Sequence, residues 1–238
     1  STNIRAKQLG EEGYVHGTLA VTDNQNGVKG RRGRSWLSPS GQNIYMSILL
    51  RPDFPPALAP MLTLGMAYGT ARGSMKNTNV PDQIKWPNDV VINGKKICGI
   101  LTEMSAEIDY INHVVIGVVV NTNMNEIPED LADKATSIRR ETGQPVKRAK
   151  LIADIMKEFE RAYELFVSAG DLSNIVTEYN QLLVNLDRDV KIMEPGKEYI
   201  GHALGINEKG ELLVEREDGT IDAVFSGEVS VRGVYGYV

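Results

Sequence analysis

Three stretches of this chain carry residues that could do chemistry together. Lys29-Gly30-Arg31-Arg32-Gly33-Arg34-Ser35-Trp36 sets cationic and stacking side chains on a glycine-interrupted loop. Guanidinium forks match phosphate oxygens bidentately, glycines let backbone N–H groups approach an anion, and an indole offers a flat face to a purine. Lys85-Trp86-Pro87-Asn88-Asp89 joins a lysine, a turn and a carboxylate, and Lys96-Ile97-Cys98-Gly99-Ile100-Leu101-Thr102-Glu103 opens a strand on a lysine. Cations gathered this way suit a reaction that brings two anions together. In such a reaction at phosphate the cations would stand where charge builds on the phosphoryl oxygens. For the first stretch taken alone, a solvated basic turn is the plainer reading.

The elements around these stretches follow from periodicity. Residues 2–12 read as a helix ended by Gly13, with cap-type side chains at Ser1 to Asn3. Strands are expected at 17–23 and 43–50, so the basic loop from Gln25 to Gly41 hangs between two strands of a rigid scaffold. Met61 to Lys76 has helical spacing, with Gly65, Gly69 and Gly73 on a close-packing face. Strands at 90–92 and 96–104 flank an Asn93-Gly94 hairpin turn, and the apolar run 111–120 reads as a central strand. Residues 122–145 read as loop with short helical turns, followed by helices at 147–168 and 171–183. From about Asp189, short strands alternate with the turn signals Pro195-Gly196, Lys209-Gly210 and Asp218-Gly219, which predicts a small β-barrel.

Bulk properties narrow the function further. With 238 residues, 42% hydrophobic and 24% charged, the chain fits one medium domain plus a small one. A net charge of −5 argues against a broad nucleic-acid coat, since phosphate affinity of that kind needs a wide basic face. The single cysteine, Cys98, rules out an intrachain disulfide and fits a reducing compartment, which makes the cytoplasm the expected location. No apolar run is long enough to span a bilayer, and no membrane partner is expected. His16, His113 and His202 are scattered without metal spacing, and neither a phosphate-loop motif nor a strand-associated G-x-G-x-x-G is present.

Taken together and in order, Ser1-Thr2-Asn3, the basic loop, KWPND, KICGIL and Ser226-Gly227-Glu228-Val229-Ser230-Val231-Arg232 resemble the biotin protein ligases over nearly the whole chain. The resemblance implies an α+β (α/β) fold: a β-sheet of mixed type flanked by helices, like class II synthetases and biotin–lipoate ligases, with a C-terminal SH3-like barrel. It implies a catalytic domain over 1–187 and the barrel over 188–238. It also implies ATP-dependent activation of biotin to biotinyl-5′-AMP, with Mg²⁺ whose ligands stay unassigned, and transfer to a lysine of a biotin carboxyl carrier protein. A homodimer is a further implied possibility.

The same resemblance assigns roles. Lys96 is the lysine that touches both the biotin carboxylate and the α-phosphate, and Lys95 points to the opposite face by strand alternation. Arg31 serves biotin and phosphate, Arg34 the triphosphate tail, and Trp36 the adenine, although an indole there also suits a core anchor. Lys29 and Gly30 complete the loop's side of the biotin site. Ser1, Thr2 and Asn3 meet the ureido ring, where hydroxyl and amide groups satisfy its N–H and C=O. Gln25 hydrogen-bonds the ligand, while Gly99, Leu101 and Gly117 wall the biotin slot. Lys85 is a cation of the nucleotide site, Asp89 a candidate to position the incoming lysine, and Asn121 lies near the adenine, with Ala135 to Ile138 as the adenine-side loop. Ser226 to Arg232 faces the nucleotide.

Val28 and Lys29 depart from the usual Gly-Arg of the family's loop, and Val119 stands where glycine is common. Val28 stiffens the chain and Lys29 lacks a bidentate fork, which bears on how tightly an intermediate is held. Two rival readings have their own discriminators. A lipoate or octanoate–protein ligase shares the fold, but KWPND and Arg-Gly-Arg-Ser-Trp favour biotin. A non-catalytic nucleic-acid-binding module would need the interleaved aromatics that the barrel strands lack. Some relatives carry an N-terminal DNA-binding domain, and none lies within these residues, so no nucleic-acid binding is expected of them.

Overall fold

A computed structural model of the chain describes residues 1–26, 38–194, 196–226, 230–234 and 236–238. A helix, α1 (Thr2–Glu11), leads into an edge strand, β1 (Thr18–Thr22), and then β2 (Ile44–Leu50). A second helix, α2 (Met61–Met75), precedes β3 (Gln83–Lys85), β4 (Asp89–Ile92), β5 (Lys95–Ala106) and β6 (Ile111–Val120). These strands form one sheet in the order β1-β2-β6-β5-β4-β3. Every pairing between its strands is antiparallel, and among the described residues parallel contact is confined to the isolated bridges Ile84↔Leu183 and Lys96↔Ala135.

The period-two pattern of β2 and β6 sets the two faces of this sheet. Ile44, Met46, Ile48 and Leu50 on β2, with Val114, Ile116, Val118 and Val120 on β6, belong to the main core, which α2 and α4 (Arg148–Ala169) cover. Each such aliphatic side chain contributes about 1.5–3 kcal/mol on burial. The two helices approach closely because two glycines of α2 leave room: a Cβ on Gly69 would stand 2.8 Å from Phe159 Cα, and one on Gly73 2.6 Å from Ile155 Cα. Between α2 and α4 in the chain lie β3 to β6, a loop and the short α3 (Ile138–Thr142), whose N-terminus is capped by Ser137 Oγ accepting from Arg140 N at 3.2 Å.

The opposite face is covered only in part. Ala6 and Leu9 of α1 pack on Leu49 and Val115, with Ala20 beside them, and leave the rest of that face for polar side chains. The register sets out its cross-strand rows. One runs Tyr45–Val119–Gly99–Asp89–Lys85, the next Ala20–Ser47–Gly117–Leu101, and a third Leu49–Val115–Glu103.

After α5 (Val176–Leu182), strands β7 (Arg188–Glu194), β8 (Lys197–Ile206), β9 (Leu212–Glu215), β10 (Ile221–Val224) and β11 (Ser230–Gly233) form a second antiparallel sheet, ordered β10-β9-β8-β7-β11. Its apolar residues, Ile192, Ile206, Leu212 and Val214 among them, are continuous with the main core. Trp86 ties the two sheets together: it is fully buried, and its indole N–H donates to Gly210 O at 3.0 Å. The helix expected at 171–183 forms only from Val176. Asp171 Oδ1 accepts from Ser173 N at 2.9 Å, and this Asx turn keeps the preceding residues out of helical conformation.

Candidate active site

The sheet face that α1 half covers holds two groups of polar side chains. The first gathers around the start of α1. Ser1 caps the helix through its backbone only, its carbonyl accepting from Arg5 N at 3.2 Å, and its side chain makes no capping bond as the sequence had suggested. Thr2 and Asn3 turn instead toward the sheet and are buried. Gln25 Oε1 accepts from Thr2 N at 2.8 Å, and Ser47 Oγ lies 2.7 Å from Thr2 Oγ1 and 2.6 Å from Asn3 Oδ1. A hydroxyl has one proton, so a consistent assignment runs Thr2 to Ser47 to Asn3. Asn3 Nδ2 then donates to Glu103 Oε2 at 2.8 Å, and Lys7 pairs with the other oxygen of that carboxylate.

Gly117 has a definite reason to be glycine. A Cβ there would fall 1.9 Å from Asn3 Oδ1, so any side chain would displace Asn3 from the sheet. What lies against this glycine is the Asn3 amide. Leu101 faces Gly117 across the strands, and Val119 stands half-buried between Tyr45 and Gly99 on the same face. The valine therefore projects a branched side chain into a row that glycine would leave open.

The second group is charged and lies at the other end of the face. Lys96 Nζ and Asp89 Oδ1 form an ion pair at 2.6 Å, and the Tyr237 hydroxyl donates to Asp89 Oδ2. Lys85, itself buried, donates to Val231 O at 2.7 Å and sits 4.6 Å from the centre of the Tyr237 ring. Burial pushes the Asp89 carboxyl upward in pKa. The Lys96 and Lys85 charges, with hydrogen bonds from Lys96 and Tyr237, outweigh that burial and hold the group below the ordinary carboxylate range. Asp89 is thus an ionised carboxylate only 8% exposed.

The backbone that carries Lys96 is stitched on its far side. Lys96 N donates to Lys134 O at 2.8 Å, and Thr136 N donates to Lys96 O at 2.9 Å. Lys95 turns away and donates to Ala132 O at 2.8 Å, so the two adjacent lysines do part company. Asn121 holds this same loop, accepting from Asn43 Nδ2 at 3.3 Å and donating to Thr136 O at 3.0 Å. Both ends of its amide are engaged, which makes it the clamp of the 135–138 segment. Ser226 lines a cleft of about 270 Å³ with Pro60, Thr63, Asn88, Leu101 and Thr102, so the second sheet does reach the KWPND turn.

Of the residues singled out from sequence, Thr2, Asn3, Gln25 and Gly117 come together at the neutral end, and Lys85, Asp89 and Lys96 at the charged end. Gly99 and Leu101 lie between them. Lys29, Gly30, Arg31, Arg34 and Trp36, together with Val28, lie outside the described residues, as do Gly227 to Val229 of the C-terminal signature. Cys98 is a buried thiol whose pKa burial pushes up, in keeping with a packing role. Sequence reasoning missed Ser47, Glu103 and Tyr237. A lone serine inside the apolar strand Ile44–Leu50 is a signal that could have found the first. Nothing in the tail's pattern points to Tyr237.

Residues 1–121 match the model of the Biotin/lipoate A/B protein ligase family, and residues 186–232 that of the Biotin protein ligase C terminal domain. The Bifunctional ligase/repressor BirA of Bacillus subtilis is 36% identical over 233 residues, covering 97% of this chain and 71% of its own length. The biotin--[acetyl-CoA-carboxylase] ligase of Mycobacterium tuberculosis is 25% identical over 220 residues, 90% of this chain and 79% of its own. Among solved structures, biotin protein ligase from Aquifex aeolicus in complex with biotin and ATP matches with a TM-score of 0.86 and 30% identity, over 98% of this chain and 95% of that one.

Proposed function

This chain belongs to the biotin/lipoate A/B protein ligase family, and on that premise we propose that it activates biotin with ATP to biotinyl-5′-AMP and passes the biotinyl group to a lysine of a biotin carboxyl carrier protein. The observation that carries the reading is the layout of one sheet face. A neutral hydrogen-bonding nest of Gln25, Thr2, Asn3 and Ser47 stands at one end and the Lys96–Asp89 pair at the other, with Gly99 and Leu101 between. A ligand with an uncharged polar ring, an apolar chain and a terminal carboxylate fits that sequence of environments.

In the first step a carboxylate oxygen of biotin bonds to the α-phosphorus of ATP and the bond to pyrophosphate breaks. Lys96 supplies the cation at the shared anion, and Lys85 adds positive charge deeper in the site. Arg31 and Arg34 are assigned to the phosphates, Lys29 and Gly30 to the biotin side, and Trp36 to the adenine, while Asn121 keeps the adenine-side loop in place. In the second step the carrier's lysine amine attacks the acyl carbon and AMP leaves. Asp89 is the carboxylate at hand to position that lysine, whose ammonium must shed a proton before it can attack. Ser1 is assigned, with Thr2 and Asn3, to the ureido ring of biotin.

Mg²⁺ belongs to this reading as the partner of the triphosphate. Among the described residues no group of three or more His, Cys, Asp or Glu side chains could hold a metal, and the Asp89 oxygens are engaged by Lys96 and Tyr237. These residues do not form a protein cage for the ion. The reading includes a division at 187/188, supported by the start of β7 at Arg188. It also includes a cytoplasmic setting and pairing of two copies. Among the described residues no helix is long and apolar enough to cross a membrane.

The test is direct. Incubated with ATP, Mg²⁺, biotin and a carrier domain, the protein should add one biotinyl mass to one carrier lysine. Modification driven by lipoate and not by biotin would overturn the assignment.

A further inference from the structure

The C-terminal end of the chain returns to the catalytic sheet. Val238 O lies 2.0 Å from where a Cβ on Gly233 would stand, and Val238 Cγ2 lies 3.1 Å from such a position on Gly94. Gly94 belongs to the tight turn between β4 and β5, just before Lys96, and has a φ of 74°. The tail is therefore pinned between the last strand of the second sheet and the hairpin that carries the reactive lysine. Tyr237 is delivered to Asp89 by this packing, its ring beside Lys85 and its hydroxyl on the carboxylate oxygen that Lys96 leaves over.

The division of Asp89 has a consequence for the reaction cycle. Lys96 must turn its ammonium toward the biotin carboxylate and the α-phosphate, and so must weaken its bond to Asp89. A carboxylate that is 8% exposed cannot replace that partner with bulk water. We propose that Tyr237 is a positioning residue for the ligase reaction: its hydroxyl holds the Asp89 carboxylate in place while Lys96 turns from it to the substrate anions. This rests on the reading of Lys96 given above.

The groups facing Asp89 are Lys96 from β5, Lys85 from β3, and Tyr237 from the tail, while the Cys98 thiol of β5 lies in the core on the other side of the sheet. With Lys96 drawn away, Lys85 and Tyr237 are what keep the carboxylate charged. The Asp89 pKa is depressed in the folded protein, so its ionised form persists below the ordinary carboxylate range and is lost only as pH falls through the depressed value. Removing the tyrosine donor moves that loss to higher pH.

The experiment uses the full chain and Tyr237→Phe, which keeps the ring beside Lys85. Biotin-dependent ATP–pyrophosphate exchange and carrier biotinylation are followed over a range of biotin concentrations. Expected is about a tenfold fall in kcat with a biotin KM within about twofold of wild type. In a double-mutant cycle, Tyr237→Phe should add nothing to Asp89→Asn if it acts through that carboxylate. A wild-type kcat would overturn the proposal, and so would losses that simply add in the cycle. If the unmutated protein shows no biotin-dependent exchange, the ligase reading fails instead; exchange that is present in both proteins and equal sinks only the role of Tyr237.

Discussion

The two ends of the sheet face under α1 are built on opposite principles. At the neutral end, Gln25, Thr2, Asn3 and Ser47 satisfy one another through uncharged hydrogen bonds of 2.6–2.8 Å, and a glycine makes the room. At the charged end, Lys85, Asp89, Lys96 and Tyr237 come from β3, β4, β5 and the C-terminal tail to assemble buried charge. Buried charge survives only with partners and repels misplacement strongly, whereas a neutral nest tolerates exchange of partners. The neutral end should therefore govern how substrate is held and the charged end how fast it reacts.

The sharpest way to break that contrast is to delete the lysine. Lys96→Ala should lower biotin-dependent pyrophosphate exchange by about 10³-fold, while Lys95→Ala, which frees only the carbonyl of Ala132, should stay within about threefold. Equal losses would erase the distinction between the two side chains. Next in size, Gly117→Ala should raise the biotin KM at least about tenfold with kcat little changed, because the new methyl evicts Asn3. A kcat defect with normal KM would show that the neutral end is part of the chemistry.

The core face supplies the control. Gly73→Ala drives a methyl into the α4 backbone at Ile155 and should destabilise the fold by about 1–3 kcal/mol, read from denaturant midpoints, without moving the biotin KM. The smallest effect concerns Asp82, fully buried, with neither carboxylate oxygen hydrogen-bonded among the described residues. Burial raises its pKa to about 7, opposed only in part by Ser74. A raised pKa means that stability is fully present at acid pH and is lost as pH rises toward 7. Asp82→Asn should therefore melt at higher temperature than wild type at pH 8, by on the order of 5 °C, with the gap closing toward pH 4. A constant gap would mean that the carboxylate does not titrate in that window.

What the sequence made legible follows the same division. Periodicity gave the core face of β2, the apolar run 111–120 gave β6 as a central strand, and Asn93-Gly94 announced its turn, where φ values of 50° and 74° exclude most other residues. The glycine spacing of α2 foretold the approach of α4. Thr2, Asn3, Gln25, Lys85, Asp89 and Lys96, which lie at the two ends of one sheet face, were each singled out because they stand in or beside motifs of distinctive residue types. The start of α5 was misplaced because a local Asx turn at Asp171 competes with helix. Ser47 left one trace, a lone serine in an apolar strand, whose meaning depends on tertiary register; Tyr237 left none, because its importance comes from where a tail packs.

The most direct test of the central claim is a structure of the protein with a non-hydrolysable biotinyl-5′-AMP analogue. The account predicts Lys96 Nζ within about 3 Å of the acyl-phosphate linkage, turned away from Asp89, with the Asp89–Tyr237 bond still closed. An analogue bound elsewhere, with Lys96 still paired to Asp89, would contradict it.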